Sequence, residues 1–330
     1  MMRAKIIRLL MQNPSEFVSG QEMADQLSIS RAAVNKHIDK LRQMGCDILC
    51  KPNAGYRLNG LCDLLLPELV EVYRFSPQEA PYEIVHFDSL SSTNQKAKEL
   101  ALKGAEHGTV VVCEEQTEGR GRQGRQWLSK RGEGIYCSII LRPSVPPEQV
   151  HQFALMAGVA VARAISALGM LGNVGLKWPN DVLCGSRKIS GILCEMSADP
   201  DGVEYLVLGI GINVKQQEFP RELWGIATSM AMETGRSCVR PQLLAMILTE
   251  FFDLYQEAMV KVSFEPMLRE YVDWSVCVGK QVTVSSHRSR ISGRCLGFGP
   301  DGALVLRDQE GKMHSVLAGD VSVRGDGMYV

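Results

Sequence analysis

The chain has 330 residues, 45% hydrophobic and 22% charged, with a formal net charge of −1. Such a length accommodates two or three domains with cores of ordinary size. Ten cysteines include no C-x-x-C and no pair near histidines at zinc-site spacing, which excludes a disulfide framework and a structural zinc site. Cys113, Cys137, Cys184 and Cys194 fall in apolar, strand-like runs, where a thiol behaves as a small hydrophobe. With no signal peptide and no apolar run of about 18 residues, the chain is expected to be cytoplasmic, reduced and free of the membrane. The charge is unevenly divided. Residues 1–60 carry nine Lys/Arg against five Asp/Glu, and the remainder carries 27 against 32. A basic segment on an acidic body suggests a separate module facing nucleic acid.

In chain order, Ile6, Ile7, Leu9 and Leu10 predict a first helix that ends near Asn13 and Pro14. Ser19-Gly20-Gln21-Glu22 fits a capping box and opens a second helix through Leu27. A tight turn at 28–30 leads to a third helix over 31–44, stopped by Gly45. Its apolar period places Val34, Ile38 and Leu41 inward. The opposite face then carries Ala32, Asn35, Lys36, Asp39, Lys40 and Gln43, with Arg31 at its start. These suit a helix-turn-helix recognition helix: Asn35 for a base edge; Arg31, Lys36 and Lys40 for phosphates; Ala32 for close approach. A short hairpin over 48–58, turning at 52–55, reads as the wing. A three-helix protein-interaction module with a solvated basic face is the alternative, and the order of cap, turn, basic face and wing favours DNA. Residues 61–82, punctuated by Pro67, Pro77 and Pro81, read as a linker with one short helix over 64–73.

Beyond it come a strand over 83–87, the segment Ser92-Thr93-Asn94, a helix over 95–103 capped by Thr93 or Asn94, and a strand over 109–113. The loop GRGRQGRQW over 119–127 follows. Glycines allow close backbone approach, and arginines bring a permanent charge whose planar fork matches carboxylate and phosphate. Gly119, Gly121 and Gly124 satisfy G-x-G-x-x-G, yet no apolar helical period follows, so a Rossmann dinucleotide site is rejected. Taken alone, the loop is either an anion cradle or a basic surface loop. A strand over 135–141 and an apolar helix over 148–168 come next. In the run LKWPND, Lys177 projects from extended chain ahead of Trp178-Pro179, placed either to stabilise a bound anion or to snorkel to water. A hairpin over 182–195 and the strand YLVLGIGINV over 205–214 complete this part, with Gly209 and Gly211 marking a close approach near Asn213. Alternating short strands from about 281 to 323 describe a small barrel.

Ser92-Thr93-Asn94, Gln116, GRGRQGRQW, KWPND, RKISGILCE over 187–195 and GIGINV resemble, in order and spacing, the motifs of biotin–protein ligases. With the winged helix in front, essentially the whole chain resembles the bifunctional class that ligates biotin and represses biotin genes. The resemblance implies an α+β multidomain fold. Its parts would be a winged helix-turn-helix over 1–60, a linker over 61–82, a mixed α/β ligase domain related to class II synthetases over 83–274, and an SH3-like β-barrel over 275–330.

It also implies a chemistry: biotin and ATP as substrates, Mg2+ as the substrate metal, biotinyl-5′-AMP as intermediate, and a lysine of a biotin carboxyl carrier protein as acceptor. The resemblance assigns Ser92, Thr93, Asn94, Gln116, Arg120, Gly121, Arg122, Lys177, Gly191, Gly209 and Gly211 to biotin. It assigns Arg122, Lys188 and Asn213 to the nucleotide, and Lys177, Arg120 and Arg122 to catalysis. No residue identifies itself as a metal ligand. Operator DNA and a homodimer in the adenylate-loaded state are the further expected partners. Trp224 stands at an uncertain offset from the aromatic that the family places against adenine, and is not assigned. The lipoate-ligase motif RRxxGGG is absent.

Overall fold

The computed structural model describes residues 2–74, 81–200, 202–236, 238–285 and 290–323. The chain forms two compact units: residues 1–75 with 239–245, and residues 76–238 with 246–330.

In the first unit, α1 (Met2–Gln12), α2 (Gly20–Leu27) and α3 (Arg31–Gln43) enclose a core that includes Ile6, Ile7, Leu10, Met23, Val34, Ile38 and Leu41. Ser19 is the cap expected, and Ser30, read from the sequence only as part of the turn, caps α3 as well. Ser19 Oγ accepts from the backbone N–H groups of Gln21 and Glu22, and Ser30 Oγ accepts from that of Ala33. Between them Ser28 takes the left-handed conformation and makes the tight turn. The wing is β1 (Asp47–Lys51) paired antiparallel with β2 (Gly55–Gly60). It is tied back to the start of α2: Val18 N donates to Tyr56 O and Tyr56 N donates to Val18 O.

Residues 61–74, expected as a linker with one short helix over 64–73, do hold that helix but belong to the first unit. They carry α4 (Pro67–Val72), whose Leu69 and Val72 lie in the first unit's core. Arg3 pairs with Glu68, and Arg8 donates to the backbone oxygens of Val72 and Arg74. Proline at the first helical position starts this helix at no hydrogen-bonding cost. Pro77 lies outside the described residues.

The second unit is built on a seven-stranded sheet ordered β3-β4-β5-β9-β8-β7-β6. The strands are β3 (Glu83–Phe87), β4 (Thr109–Cys113), β5 (Gly134–Leu141), β6 (Val174–Lys177), β7 (Asp181–Cys184), β8 (Arg187–Asp199) and β9 (Gly202–Asn213). Only β3 and β4 run parallel; the other pairs are antiparallel. On one face, Ala97 and Ala101 of α5 (Thr93–Leu102) pack with Val111, Ile140 and Val207. The other face takes α6 (Gln152–Ala167), where Gly158 fits against Leu176 and Ile192.

Residues 147–167 are long and apolar enough to cross a membrane, contrary to the expectation from sequence, but 78% of their most apolar window is buried in the unit. This is a core helix. The unit also holds α7 (Met230–Thr234), most of α8 (Arg240–Lys261), and α9 (Glu265–Trp274).

The expected small barrel is a five-stranded antiparallel sheet ordered β13-β12-β11-β10-β14. It comprises β10 (Gln281–Ser285), β11 (Arg290–Phe298), β12 (Leu304–Arg307), β13 (Met313–Val316) and β14 (Asp320–Val323). Trp178 Nε1 donates to Gly302 O, 3.2 Å away, so this sheet holds the corner at which Lys177 is displayed.

Candidate active site and nucleic-acid interface

The site grows from the face of the large sheet that carries α5. Side chains on a strand alternate faces, so Gly209 and Gly211 of β9 share this face, and Gly191 of β8 stands opposite Gly211 in the ladder. Three neighbouring positions without side chains make a trough. Its first occupants are the protein's own groups. A Cβ at Gly209 would meet Asn94 Oδ1 at 2.1 Å, and one at Gly211 would meet the Trp127 indole at 2.5 Å. At Gly191 the neighbours are Lys188 and Trp127.

Ser92, Thr93 and Asn94 do not divide their roles as expected. The residue at the helix cap is Ser92, and its side chain makes no capping bond; Thr93 and Asn94 lie within the first turn of α5 and point inward, all three buried. Thr93 donates from both N and Oγ1 to Gln116 Oε1, and Gln116 Nε2 donates to Ser129 Oγ. Ser138 Oγ lies 2.6 Å from Asn94 Oδ1 and 2.8 Å from Thr93 Oγ1. Asn94 Nδ2 donates to Glu195 Oε2 at 2.7 Å, and Lys98 pairs with the same carboxylate. A buried polar cluster satisfied in this way is rigid, and suits a ligand whose amide-like ring needs both donors and acceptors.

Of these, Ser92, Thr93, Asn94 and Gln116 line a narrow pocket of about 40 Å³ together with Arg120, Gly121, Arg122, Trp127, Asn180 and Lys188. A larger cavity of about 650 Å³ adjoins it, walled by Lys177, Asp181, Asn213, Phe219 and Ile226, and by Asp320 to Val323 of the C-terminal sheet. The two share Gly121, Arg122, Trp127, Asn180 and Lys188. Every residue expected at biotin except Lys177 lines the narrow pocket, whereas Lys177 and Asn213 line the wide one. The arrangement therefore offers a small polar slot opening into a larger chamber, with cations at the junction.

Around that junction the charges are specific. Arg122 Nη1 donates to Asn180 Oδ1 at 3.1 Å and lies 3.9 Å from Asp320, which also holds Arg125 at 2.6 Å. Arg120 points differently: its side chain is 65% exposed, 3.9 Å from Glu118. Lys188 bonds Asp181 at 2.6 Å and lies over the Trp127 ring, 5.4 Å from its centroid. Lys177 is only 5% exposed, and burial lowers its pKa from the usual lysine value, with the Asp181 carboxylate acting in the opposite sense. Asn213 is buried, donates to Thr228 O and accepts from Gln216 Nε2. The indole Nε1 of Trp127 is buried without a hydrogen-bond partner.

Sequence reasoning left Trp127, Asn180, Asp181, Arg125 and Asp320 unassigned. The first four lay within motifs already singled out, so proximity in sequence was the available signal. Asp320 had none, because it arrives from 195 residues beyond Arg125. Trp224 is 66% exposed and donates to Phe219 O. It lines neither cavity. Among the described residues no three His, Cys, Asp or Glu side chains gather as a metal site.

In the first unit Arg31, Ala32, Asn35, Lys36 and Lys40 all lie exposed on α3. The wing joins them, since Tyr56 Oη donates to Asn35 Oδ1 at 2.8 Å.

Comparison with known proteins finds relatives of both units. Residues 86–213 match the biotin/lipoate A/B protein ligase family, and residues 3–57 match a helix-turn-helix domain. The bifunctional ligase/repressor BirA of Bacillus spizizenii is 36% identical over 324 residues, covering 98% of each chain. Its Escherichia coli counterpart is 29% identical over 97% of this chain and 96% of its own. Among solved structures, a biotin protein ligase from Aquifex aeolicus in complex with biotin and ATP superposes with a TM-score of 0.64 at 29% identity, covering 74% of this chain and 99% of its own. Similarity at this level along almost the entire length shows that the chain belongs to the bifunctional ligase/repressor branch of the biotin/lipoate protein ligase family.

Proposed function

We propose that this chain is an ATP-dependent biotin–protein ligase that forms biotinyl-5′-AMP, transfers biotin to a lysine of a biotin carboxyl carrier protein, and represses transcription in response to biotin. The observation that carries the ligase reading is the pair of cavities sharing Arg122, Lys188 and Trp127. Forming the adenylate requires biotin's carboxylate to attack the α-phosphate of ATP and expel pyrophosphate, and a shared cationic wall is where that meeting is favoured.

Biotin's ring fits the slot formed by Ser92, Thr93, Asn94 and Gln116, where the trough over Gly191, Gly209 and Gly211 gives depth. ATP fits the larger chamber beside Lys188 and Asn213. The attack brings two anions together, which repel in water. Arg122 and Lys177 offset that repulsion and the charge that grows on the phosphoryl oxygens, while the rigid slot holds the carboxylate in line. Arg120, expected among the catalytic groups, faces solvent and would have to swing inward to join them. Mg2+ would arrive with the triphosphate, held mostly by phosphate oxygens and water as this ion prefers, with Asp181 the carboxylate nearest Lys177 and Lys188 in the chamber. The 119–127 loop then covers the reactive anhydride and keeps water out until the acceptor lysine comes.

The winged helix supports operator binding, and ordering of the loop over adenylate would favour a homodimer matched to a two-fold operator. We place this chemistry in the cytoplasm, where the ten cysteines, all free in the structure, stay reduced.

Biotin-dependent ATP–pyrophosphate exchange tests the ligase half, with lipoate and octanoate run in parallel. Exchange with biotin alone is expected, and absence of exchange with every acid from folded protein would refute it. Operator affinity that is equal with and without biotin plus ATP would refute the ligand-responsive repressor half.

A further inference from the structure

Tyr56 is held at several points. Its backbone exchanges both hydrogen bonds with Val18, at 2.8 and 2.9 Å, and its ring packs, partly buried, against the first unit's core. Atom Cε2 of the ring comes within 3.4 Å of where a Cβ at Gly20 would stand. From this anchorage the phenol reaches the exposed face of α3 and donates to Asn35 Oδ1 at 2.8 Å. Burial raises the phenol's pKa above its ordinary value, so it is a neutral donor at neutral pH. Asn35 stands between Arg31 and Ala32 on one side and Lys36 and Lys40 on the other, the residues that face DNA in the reading above.

A carboxamide has one acceptor oxygen and two N–H donors. A free asparagine on a recognition helix matches adenine, giving Nδ2–H to N7 and taking N6–H on Oδ1. Here a fixed phenol takes one of the oxygen's two lone pairs and holds the oxygen toward the wing, so the two N–H donors are the half of the amide left free to turn to a base.

We propose that Tyr56 is a specificity-determining positioning residue, which orients the Asn35 carboxamide so that its N–H groups read an acceptor-only base edge, guanine N7 and O6, in the major groove. This rests on the DNA-binding half of the proposed function. Tyr56 need not touch the base itself. It sets which half of the amide does.

The test uses the full chain with biotin and ATP, selecting binding sites from a randomised duplex library. Wild type, Asn35→Ala and Tyr56→Phe are compared. The position whose preference vanishes in Asn35→Ala is the one that Asn35 reads. Guanine is expected there for the wild type, and in Tyr56→Phe the ratio of adenine to guanine should rise roughly tenfold. Tyr56→Phe keeps the ring and both backbone bonds, and an unchanged urea denaturation of the first unit, beside unchanged pyrophosphate exchange by the second, certifies the fold.

Adenine at that position in the wild type, an unchanged preference in Tyr56→Phe, or no position altered by Asn35→Ala would each overturn the inference. Failure of the wild type to enrich any sequence would instead overturn the DNA-binding reading beneath it.

Discussion

At the scale of the residue, Lys177 shows how function is set against stability. Burying an ammonium disfavours its charged form, and the lowered pKa records that cost. The sign follows from proton linkage. Between its lowered folded value and the ordinary lysine value of 10.5, the unfolded chain binds more protons than the folded one, so this residue's contribution to stability improves as pH rises through that window. Lys177→Met should therefore melt no lower than wild type at neutral pH and lose that alkaline improvement, as read by thermal denaturation across pH. The same variant should lose about 10²–10³ in pyrophosphate exchange, the usual loss when a fixed charge at the transferred centre is removed. Gly209 gives a contrasting case. An added methyl would collide with Asn94 Oδ1 at 2.1 Å, and Asn94 is tied to Ser138 and Glu195 and has little room to give. Gly209→Ala should cost about 1–3 kcal/mol by overpacking and raise KM for biotin more than KM for ATP, measurable by exchange kinetics and calorimetry.

At the scale of the element, caps and periodicity made the first unit's helices legible. Ser19 and Ser30 start α2 and α3 where the sequence placed them, and Val34, Ile38 and Leu41 face inward as their spacing required. Ser30→Ala leaves the Ala33 N–H without its side-chain acceptor and should remove about 1 kcal/mol from the first unit's stability, detectable in urea denaturation. Elsewhere local rules fell short for identifiable reasons. Thr93 and Asn94 are good capping residues, yet tertiary demand turned both into the pocket and left the cap to Ser92. The prolines near residue 67 looked like linker punctuation, although proline at a helix start costs nothing, and α4 buries Leu69 and Val72. Beyond the hairpin over 182–195, which forms β7 with β8, sheet order was not legible. The pairing of β5 with β9 joins residues more than sixty positions apart, and no local signal encodes such a partner. The candidate site was legible wherever its residues travelled in motifs. It was hidden at Asp320, whose part is decided by how the C-terminal sheet meets the loop arginines.

At the scale of the whole molecule, a chain close to neutrality still concentrates positive charge where a polyanion would bind. Arg31, Lys36 and Lys40 lie exposed on α3, while Arg57 and Lys51 of the wing flank the Phe17 ring. Binding through phosphates releases counterions, so affinity should fall steeply with salt. Lys36→Ala combined with Lys40→Ala should weaken operator binding similarly on all sequences and flatten the slope of log K against log salt by about 2. An unchanged slope in a filter-binding or anisotropy titration would show that these lysines face only solvent.

The first unit also has an unusual outline along the chain, because residues 239–245 belong to it although the sequence has by then passed through the whole large sheet. Within it Arg240 is almost fully buried and meets Asp63 through its backbone N–H and its guanidinium, each at 2.8 Å. No single scission can therefore release this unit whole. Cleavage near residue 75 would cut Asp63 off from the chain that carries Arg240, leaving their contact as the tie between the two pieces. Removing the first unit by moving one boundary would leave its residues 239–245 behind on the second. A second change, at the start of α8, would have had to accompany it.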